Sequence, residues 1–238
     1  MMKNYFLVFS FIMTYGCVQK TQQPCDDFFV RGNNYVLNSD FKNAKKEFEK
    51  EIEIDPHNAN AFYGLAYLYA IEGENEKALE NYTKSIQLDR EFALAYLQRG
   101  QLYYLVGDLE RSHNDLKKVT ELRPKLSFPF EYLAEIEVAK SNYDQAIKYF
   151  DQALASNPKS SRAYLSKGIC LGYKGEYNKA IDNITKSIDL NPRDAMAYIH
   201  RGNFEYAYKL SDHACEDFHK AQDLGYDASA YIKTYCKN

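Results

Sequence analysis

The sequence predicts an all-α array of repeated units, and three observations carry that prediction. First, Pro56, Pro124, Pro158 and Pro192 stand 68, 34 and 34 residues apart, and the vacant place between the first two holds Arg90 in QLDRE, a near copy of EIDPH and DLNPR. Setting each Pro at position 32 of its unit gives six units: 25–58, 59–92, 93–126, 127–160, 161–194 and 195–228. Second, position 4 is aromatic in every unit: Phe28, Phe62, Tyr96, Phe130, Tyr164 and Tyr198. Third, two positions are always small. Position 8 holds Gly32, Ala66, Gly100, Ala134, Gly168 and Gly202, and position 20 holds Ala44, Ala78, Ser112, Ala146, Ala180 and Ala214. Position 24 is the large counterpart, with Phe48, Tyr82, Leu116, Phe150, Ile184 and Phe218.

Ahead of the array, residues 1–16 have the plan of an export signal. Lys3 precedes an apolar run from Tyr5 to about Tyr15, shorter than the roughly 20 residues a bilayer span needs. Gly16 then stands directly before Cys17. This looks like the lipobox of a bacterial lipoprotein, with Thr14 where Leu is usual, and that resemblance implies lipidation of Cys17. Cleaved soluble secretion and an uncleaved anchor are the alternatives. Residues 17–24 are polar and read as a tether. An acidic export signal does not follow Cys17 in CVQKTQQ, which favours the periplasmic side of the envelope over the outside.

Composition limits the partners. The 238 residues carry a net charge of −3 with 26% charged residues, and they form no basic stripe of the kind nucleic acid requires. There are 22 tyrosines and no tryptophan.

The repeating pattern, aromatic, small, Tyr, then Ala-x3-Phe and Pro, resembles the tetratricopeptide repeat over residues 25–228. Phe or Tyr replaces Trp at position 4. The resemblance implies that each unit is a helix–turn–helix, with helices over about positions 2–14 and 18–30. It also implies that the units stack as a right-handed superhelical solenoid with a concave and a convex face. Small residues at positions 8 and 20 let the helix pair approach, and position 24 packs into the next unit. Gly73, Gly107 and Gly175 fall at position 15, where a helix end favours the left-handed conformation. The sixth unit has Leu210 and Ser211 in place of the usual Gly turn. Residues 229–238 read as a C-terminal capping helix, with Tyr231, Ile232 and Tyr235 spaced to cover the last apolar face.

Chemistry finds little purchase. The chain has no Gly-rich phosphate loop and no nucleophile with an evident His partner. The acidic pairs Asp26–Asp27 and Glu131/Glu135 read as solvated surface charge. His213, Cys215 and His219 share a helix but lack the fourth ligand of a structural zinc site. No metal, cofactor or enzymatic activity is expected. In this family, positions 2, 5, 9 and 12 of the first helix line the inner groove. Carried over, positions 5, 9 and 12 place there Phe29, Asn33, Tyr63, Tyr67, Leu97, Gln101, Tyr104, Glu131, Glu135, Leu165, Ile169, Ile199, Asn203 and Tyr206. Members that clamp a C-terminal carboxylate use Lys, Asn and Arg there. Here Phe29, Tyr67, Leu97 and Gln101 stand at the corresponding places and only Asn33 survives, so that activity does not carry over.

The groove expectation is therefore an apolar, tyrosine-rich surface for a protein or peptide partner, with truncation of Tyr63 and Tyr67 weakening capture while leaving the fold intact. The readings that follow are a scaffold or adaptor at the cell envelope, a self-associating envelope protein, or an accessory subunit that docks an enzyme. Cys236 on the cap should face Cys215 in the sixth unit. A bridge there would be worth roughly 2–4 kcal/mol, against the alternative of two buried thiols. Protein purified without reductant should give no thiol label at Cys215 or Cys236; full labelling of both would eliminate the bridge.

Overall fold

A computed structural model describes residues 28–236, with side chains described from Val30 onward. The expectations for the signal segment, Cys17, the tether, Asp26–Asp27 and the Phe29 side chain lie outside the described residues. Within them the chain forms thirteen helices and no strand. They pair along the sequence: α1 (Phe28–Leu37) with α2 (Phe41–Ile54), α3 (Ala59–Glu72) with α4 (Asn75–Leu88), and α5 (Ala93–Leu105) with α6 (Leu109–Leu122). There follow α7 (Phe128–Ala139) with α8 (Tyr143–Ser156), α9 (Ser161–Tyr173) with α10 (Tyr177–Leu190), and α11 (Ala195–Ala207) with α12 (Ser211–Asp223). A short α13 (Ser229–Tyr235) closes the series. The array is an all-α helical solenoid.

Side-chain size sets the spacing within each pair. A Cβ on Gly168 would lie 2.6 Å from Ile184 and 3.0 Å from the Ala180 carbonyl; one on Gly202 would lie 2.8 Å from Phe218. The two helices touch backbone to side chain, with no room for a larger residue. All six position-20 residues have 0% exposure. The position-24 residues beside them are equally enclosed, and Phe48 reaches both Gly32 of its own unit and Gly64 of the next. One ring thus joins the helix pair to its neighbour. Tyr82 is the exception among these large residues in being polar, and its buried hydroxyl has no hydrogen-bond partner.

The turns between paired helices are six copies of one geometry. The residue at position 15 has φ between 59° and 85° in every unit: Ser39, Gly73, Gly107, Ser141, Gly175 and Lys209. The next N–H donates back to the carbonyl of position 11 at 2.8–3.0 Å, from Asp40 to Tyr35 through Leu210 to Glu205. This is a Schellman closure. The sixth turn is therefore not atypical, as Leu210 and Ser211 suggested. Lys209 takes the left-handed place, and Leu210 is only the residue before α12. Asp40 and Asp108 cap α2 and α6, while Asn58, Ser160 and Asp194 cap α3, α9 and α11. Each offers a side-chain oxygen to an N–H the helix leaves unpaired.

Polar ties reinforce particular seams. Ser85 Oγ donates to the Ala59 carbonyl at 2.8 Å, and Ser187 Oγ to the Ser161 carbonyl at 2.8 Å. Arg99 grips Asp115 with Nε and Nη2 at 2.7 and 2.8 Å and reaches Thr83 of the preceding unit with Nη1 at 2.9 Å. Arg201 repeats this with Asp217 at 2.7 and 2.8 Å and Thr185 at 3.0 Å. The two constellations occupy the same positions, three units apart.

At the end of the array Cys215 and Cys236 form a disulfide with 5.5 Å between Cα atoms. Tyr231 stacks on Phe218 at 5.3 Å and Tyr235 lies 5.8 Å from the same ring. Cys170 is buried as a free thiol, which burial pushes up to about 11.

The left-handed place is open at Gly73, Gly107 and Gly175, where an added Cβ would meet nothing within 4 Å. The cost of a side chain there is conformational, about 1–2 kcal/mol. Ser39→Gly and Ser141→Gly should each stabilise the chain by about 1 kcal/mol, and Gly73→Ala should destabilise it by a similar amount, read from urea midpoints at constant slope.

Candidate interaction groove

The first helices of successive units approach one another, α1 with α3, α3 with α5, α5 with α7 and α9 with α11, whereas no pair of second helices makes a comparable approach. The first helices therefore line the inner side of the curve. They are flanked by second helices of their own and the preceding unit, so apolar residues surround them. The second helices turn one polar face to water, with Glu80, Lys84 and Gln87 exposed on α4.

The groove residues named from the sequence divide by exposure. Tyr63, Tyr67, Leu97, Ile199, Asn33 and Glu131 are buried. Gln101, Tyr104, Glu135, Leu165, Ile169 and Asn203 are half-buried. Tyr206 is exposed and lies 4.4 Å from Tyr235 between ring centroids. The expectation that Tyr63 and Tyr67 present their rings to a partner is corrected. Each retains only 6% exposure. Phe92 lies 5.1 Å and Tyr82 5.8 Å from the Tyr63 ring. Burial holds the Tyr63 hydroxyl well above the ordinary phenol range and raises that of Tyr67. The expectation that Glu131 is solvated surface charge is corrected likewise, since α9 and its leading residue Ser160 close over it.

The junction between the fourth and fifth units differs from the rest. Here polar groups bridge α7 and α9. Ser160 Oγ donates to Glu131 Oε1 at 3.3 Å, and Arg162 pairs with Glu135. The Tyr104 hydroxyl bonds Glu135 from the unit before, and its ring meets Tyr132 edge-on at 5.6 Å. Burial, more than the neighbouring Glu135, raises the Glu131 carboxyl above its usual range, while Arg162 and Ser160 pull it down. Tyr104 is raised by burial first and then by Glu135. Half-buried Leu165 and Ile169 provide apolar surface along the same helix as Arg162. The junction thus offers carboxylate acceptors, guanidinium donors and aromatic area within one stretch of groove. Arg162 was missed in the sequence. Its position 2 is a groove place in the resembling family, and Phe128 and Met196, exposed at 54% and 41%, occupy it in other units.

The fold and groove are those of a helical-repeat solenoid, a class that binds along extended concave surfaces. Family comparisons are specific about which one. Residues 47–80, 93–126 and 133–182 match profiles described as tetratricopeptide repeat, and residues 68–107 match one described as TPR repeat. Together these segments span more than half of the 238 residues, and the chain belongs to the tetratricopeptide repeat proteins. No curated protein matches it in sequence. Among solved structures it is similar to YrrB, described as a TPR protein with an unusual peptide-binding site. The identity is 24% and the TM-score 0.69, over 78% of this chain and 97% of that one. Pseudomonas aeruginosa pilF superposes with a TM-score of 0.73 at 23% identity, over 87% of this chain and 96% of that one. A tetratricopeptide repeat protein from Parabacteroides merdae gives 0.64 at 20%, over 87% and 96%. Repeats of this family are scaffolds for protein–protein interaction, and this chain is built as one.

Burial of Tyr63 and Tyr67 changes what their removal should do. The Tyr63→Ala, Tyr67→Ala double variant should lose at least about 3 kcal/mol of stability in urea titration, since truncating a buried aromatic side chain leaves a cavity. A midpoint equal to wild type would show that the rings are free.

Proposed function

We infer that this chain is an adaptor at the bacterial cell envelope, tethered by lipid on Cys17, which binds an extended segment of a protein partner along its concave groove. The observation that carries the reading is the α7–α9 junction. There Glu135 and Tyr104 are half-buried and Arg162 is exposed, so all three remain within reach of a ligand. Carboxylate and guanidinium groups side by side pair with the N–H and C=O groups of an extended backbone. Aromatic rings add contact area at small conformational cost. Leu165 and Ile169 suit alternate apolar side chains of the bound segment. Among the described residues the groove places no nucleophile beside a base, and the reading is of a binding protein, not an enzyme. The apolar run behind Lys3 and the Gly16–Cys17 pair that follows it support the envelope location.

The test uses groove residues that are not core. Glu135→Gln with Arg162→Gln should leave the melting temperature within about 2 °C, because exposed pairs contribute about 0–1 kcal/mol. The same variant should reduce recovery of a crosslinked envelope partner at least about ten-fold, a loss of about 1.4 kcal/mol. Equal recovery would move the site to the convex face, and recovery of this chain alone would establish self-association. Mass spectrometry of detergent-extracted protein should find a diacylated or triacylated Cys17 as the first residue; an unmodified mature chain would remove the anchor.

A further inference from the structure

Glu205 of α11 is buried, with 7% exposure, and its Oε2 has no hydrogen-bond partner. The same place in the fourth unit is held by Glu137, and the comparison explains the difference. Glu137 accepts from Asn142 Nδ2 at 2.9 Å and from Lys140 Nζ at 3.1 Å. The residues corresponding to Asn142 and Lys140 in the sixth unit are Leu210 and Tyr208, and neither provides a cation or an amide donor. In the third unit the place is taken by Tyr103, whose ring carries the Arg111 guanidinium at 4.5 Å. Glu205 has the carboxyl without the donors.

The nearest cation is already committed. Arg201 Nε lies 3.8 Å from Glu205 Oε1 but bonds Asp217, as does Nη2, while Nη1 bonds Thr185 across the seam. The charged and titratable groups acting on Glu205 are Arg201 on its own helix and His213, Glu216 and Asp217 on α12. From α10 the seam brings the neutral Thr185 hydroxyl. A carboxylate at Glu205 therefore meets Asp217 as a like charge and has one route to a donor, which is to take Arg201 from its present partners.

We propose that Glu205 is a protonation switch on the seam between the fifth and sixth units. As the neutral acid it leaves Arg201 bridging Asp217 and Thr185. As the carboxylate it draws Arg201 off Thr185 and loosens the sixth unit. Burial, and then Asp217, push the Glu205 carboxyl up to about 7, against the pull of Arg201 and His213. Between the ordinary carboxylate range and about 7, the folded unit keeps a proton that the unfolded chain has released. The stability of the sixth unit therefore falls as pH rises through that window. The corresponding carboxyl of the fourth unit behaves differently: burial pushes Glu137 up, but Asn142 and Lys140 hold it below its usual range.

Hydrogen exchange on the full oxidised chain tests this, with rates corrected for intrinsic pH dependence. Protection in α11 and α12 should fall about ten-fold from pH 5.5 to pH 8, while α3 to α6 change less than two-fold. Glu205→Gln, which keeps the shape of the neutral acid, should make α11 and α12 as insensitive as the rest, whereas His213→Gln should retain the wild-type response. A flat wild-type profile overturns the proposal, and so does a Gln variant with the wild-type slope. A response abolished by His213→Gln alone would assign the titration to the histidine and equally overturn it. Carbon-13 titration of the Glu205 carboxyl gives an independent reading: a midpoint between 6 and 8 supports the switch, and one below 5 refutes it.

Discussion

The contact between positions 8 and 20 is the constraint on which the rest of the architecture depends. Where Gly168 and Ala180 meet, the paired helices stand so close that one added carbon would overlap Ile184. That closeness leaves a slot of fixed width beside the contact, and the large residue at position 24 fills it. The same residue projects toward the following unit, as Phe48 does on reaching Gly64. Pair spacing, unit spacing and the direction of curvature thus follow from one small-on-small contact repeated six times. A unit alone would leave its position-24 residue half covered, so each needs the next. Stability of such an array is a sum of seams.

This constraint explains which features were legible in the sequence. Side-chain size at positions 8, 20 and 24 is dictated locally and identically in each unit, so periodicity alone exposes it. The left-handed turn was legible at Gly73, Gly107 and Gly175 and hidden at Ser39, Ser141 and Lys209. At the latter the Schellman hydrogen bonds and the two packed helices over-determine the turn, and an L-residue is carried into a conformation it would not choose. The terminal disulfide was accessible because the cap has one place to pack. Groove exposure was not accessible. Helical position says that Tyr63 and Gln101 face the same side, but whether a ring is covered depends on the size of its neighbours. Phe92 and Tyr82 enclose Tyr63, while Gln101 stays half-open. The same limit hid the polar bridging of α7 and α9, a property of two units and not of any one.

Polar groups distinguish seams that apolar packing would make alike. A buried Arg–Asp pair contributes little net stability over an apolar substitute, yet removing one partner costs about 3–5 kcal/mol. Its effect is to fix geometry. Arg99 ties the third unit to Thr83 of the second, and Arg201 ties the sixth to Thr185 of the fifth, so the same clasp closes two seams three units apart. Around the first clasp Tyr103 and Arg111 complete the shell without a spare charge. Around the second a carboxyl competes for the same guanidinium.

A solenoid whose seams differ in this way does not loosen uniformly. Opening begins at the seam with the smallest net stability, and an end unit has one seam where an internal unit has two. The sixth unit offsets that deficit with α13 and the Cys215–Cys236 bridge, which return part of the missing neighbour. The cap covers Phe218 and the apolar face of α12; it does not reach the Arg201 clasp on the other side of the unit, which faces the fifth. Stabilisation at the outer face and titration at the inner face are thus separated by the width of one helix pair. The unit's own helices are joined through Gly202, Ala214 and Phe218, so loosening of its inner seam would act on the angle between the fifth and sixth units. In a binding surface assembled from several first helices, a change in the angle of one unit alters the fit along the whole length of a bound segment.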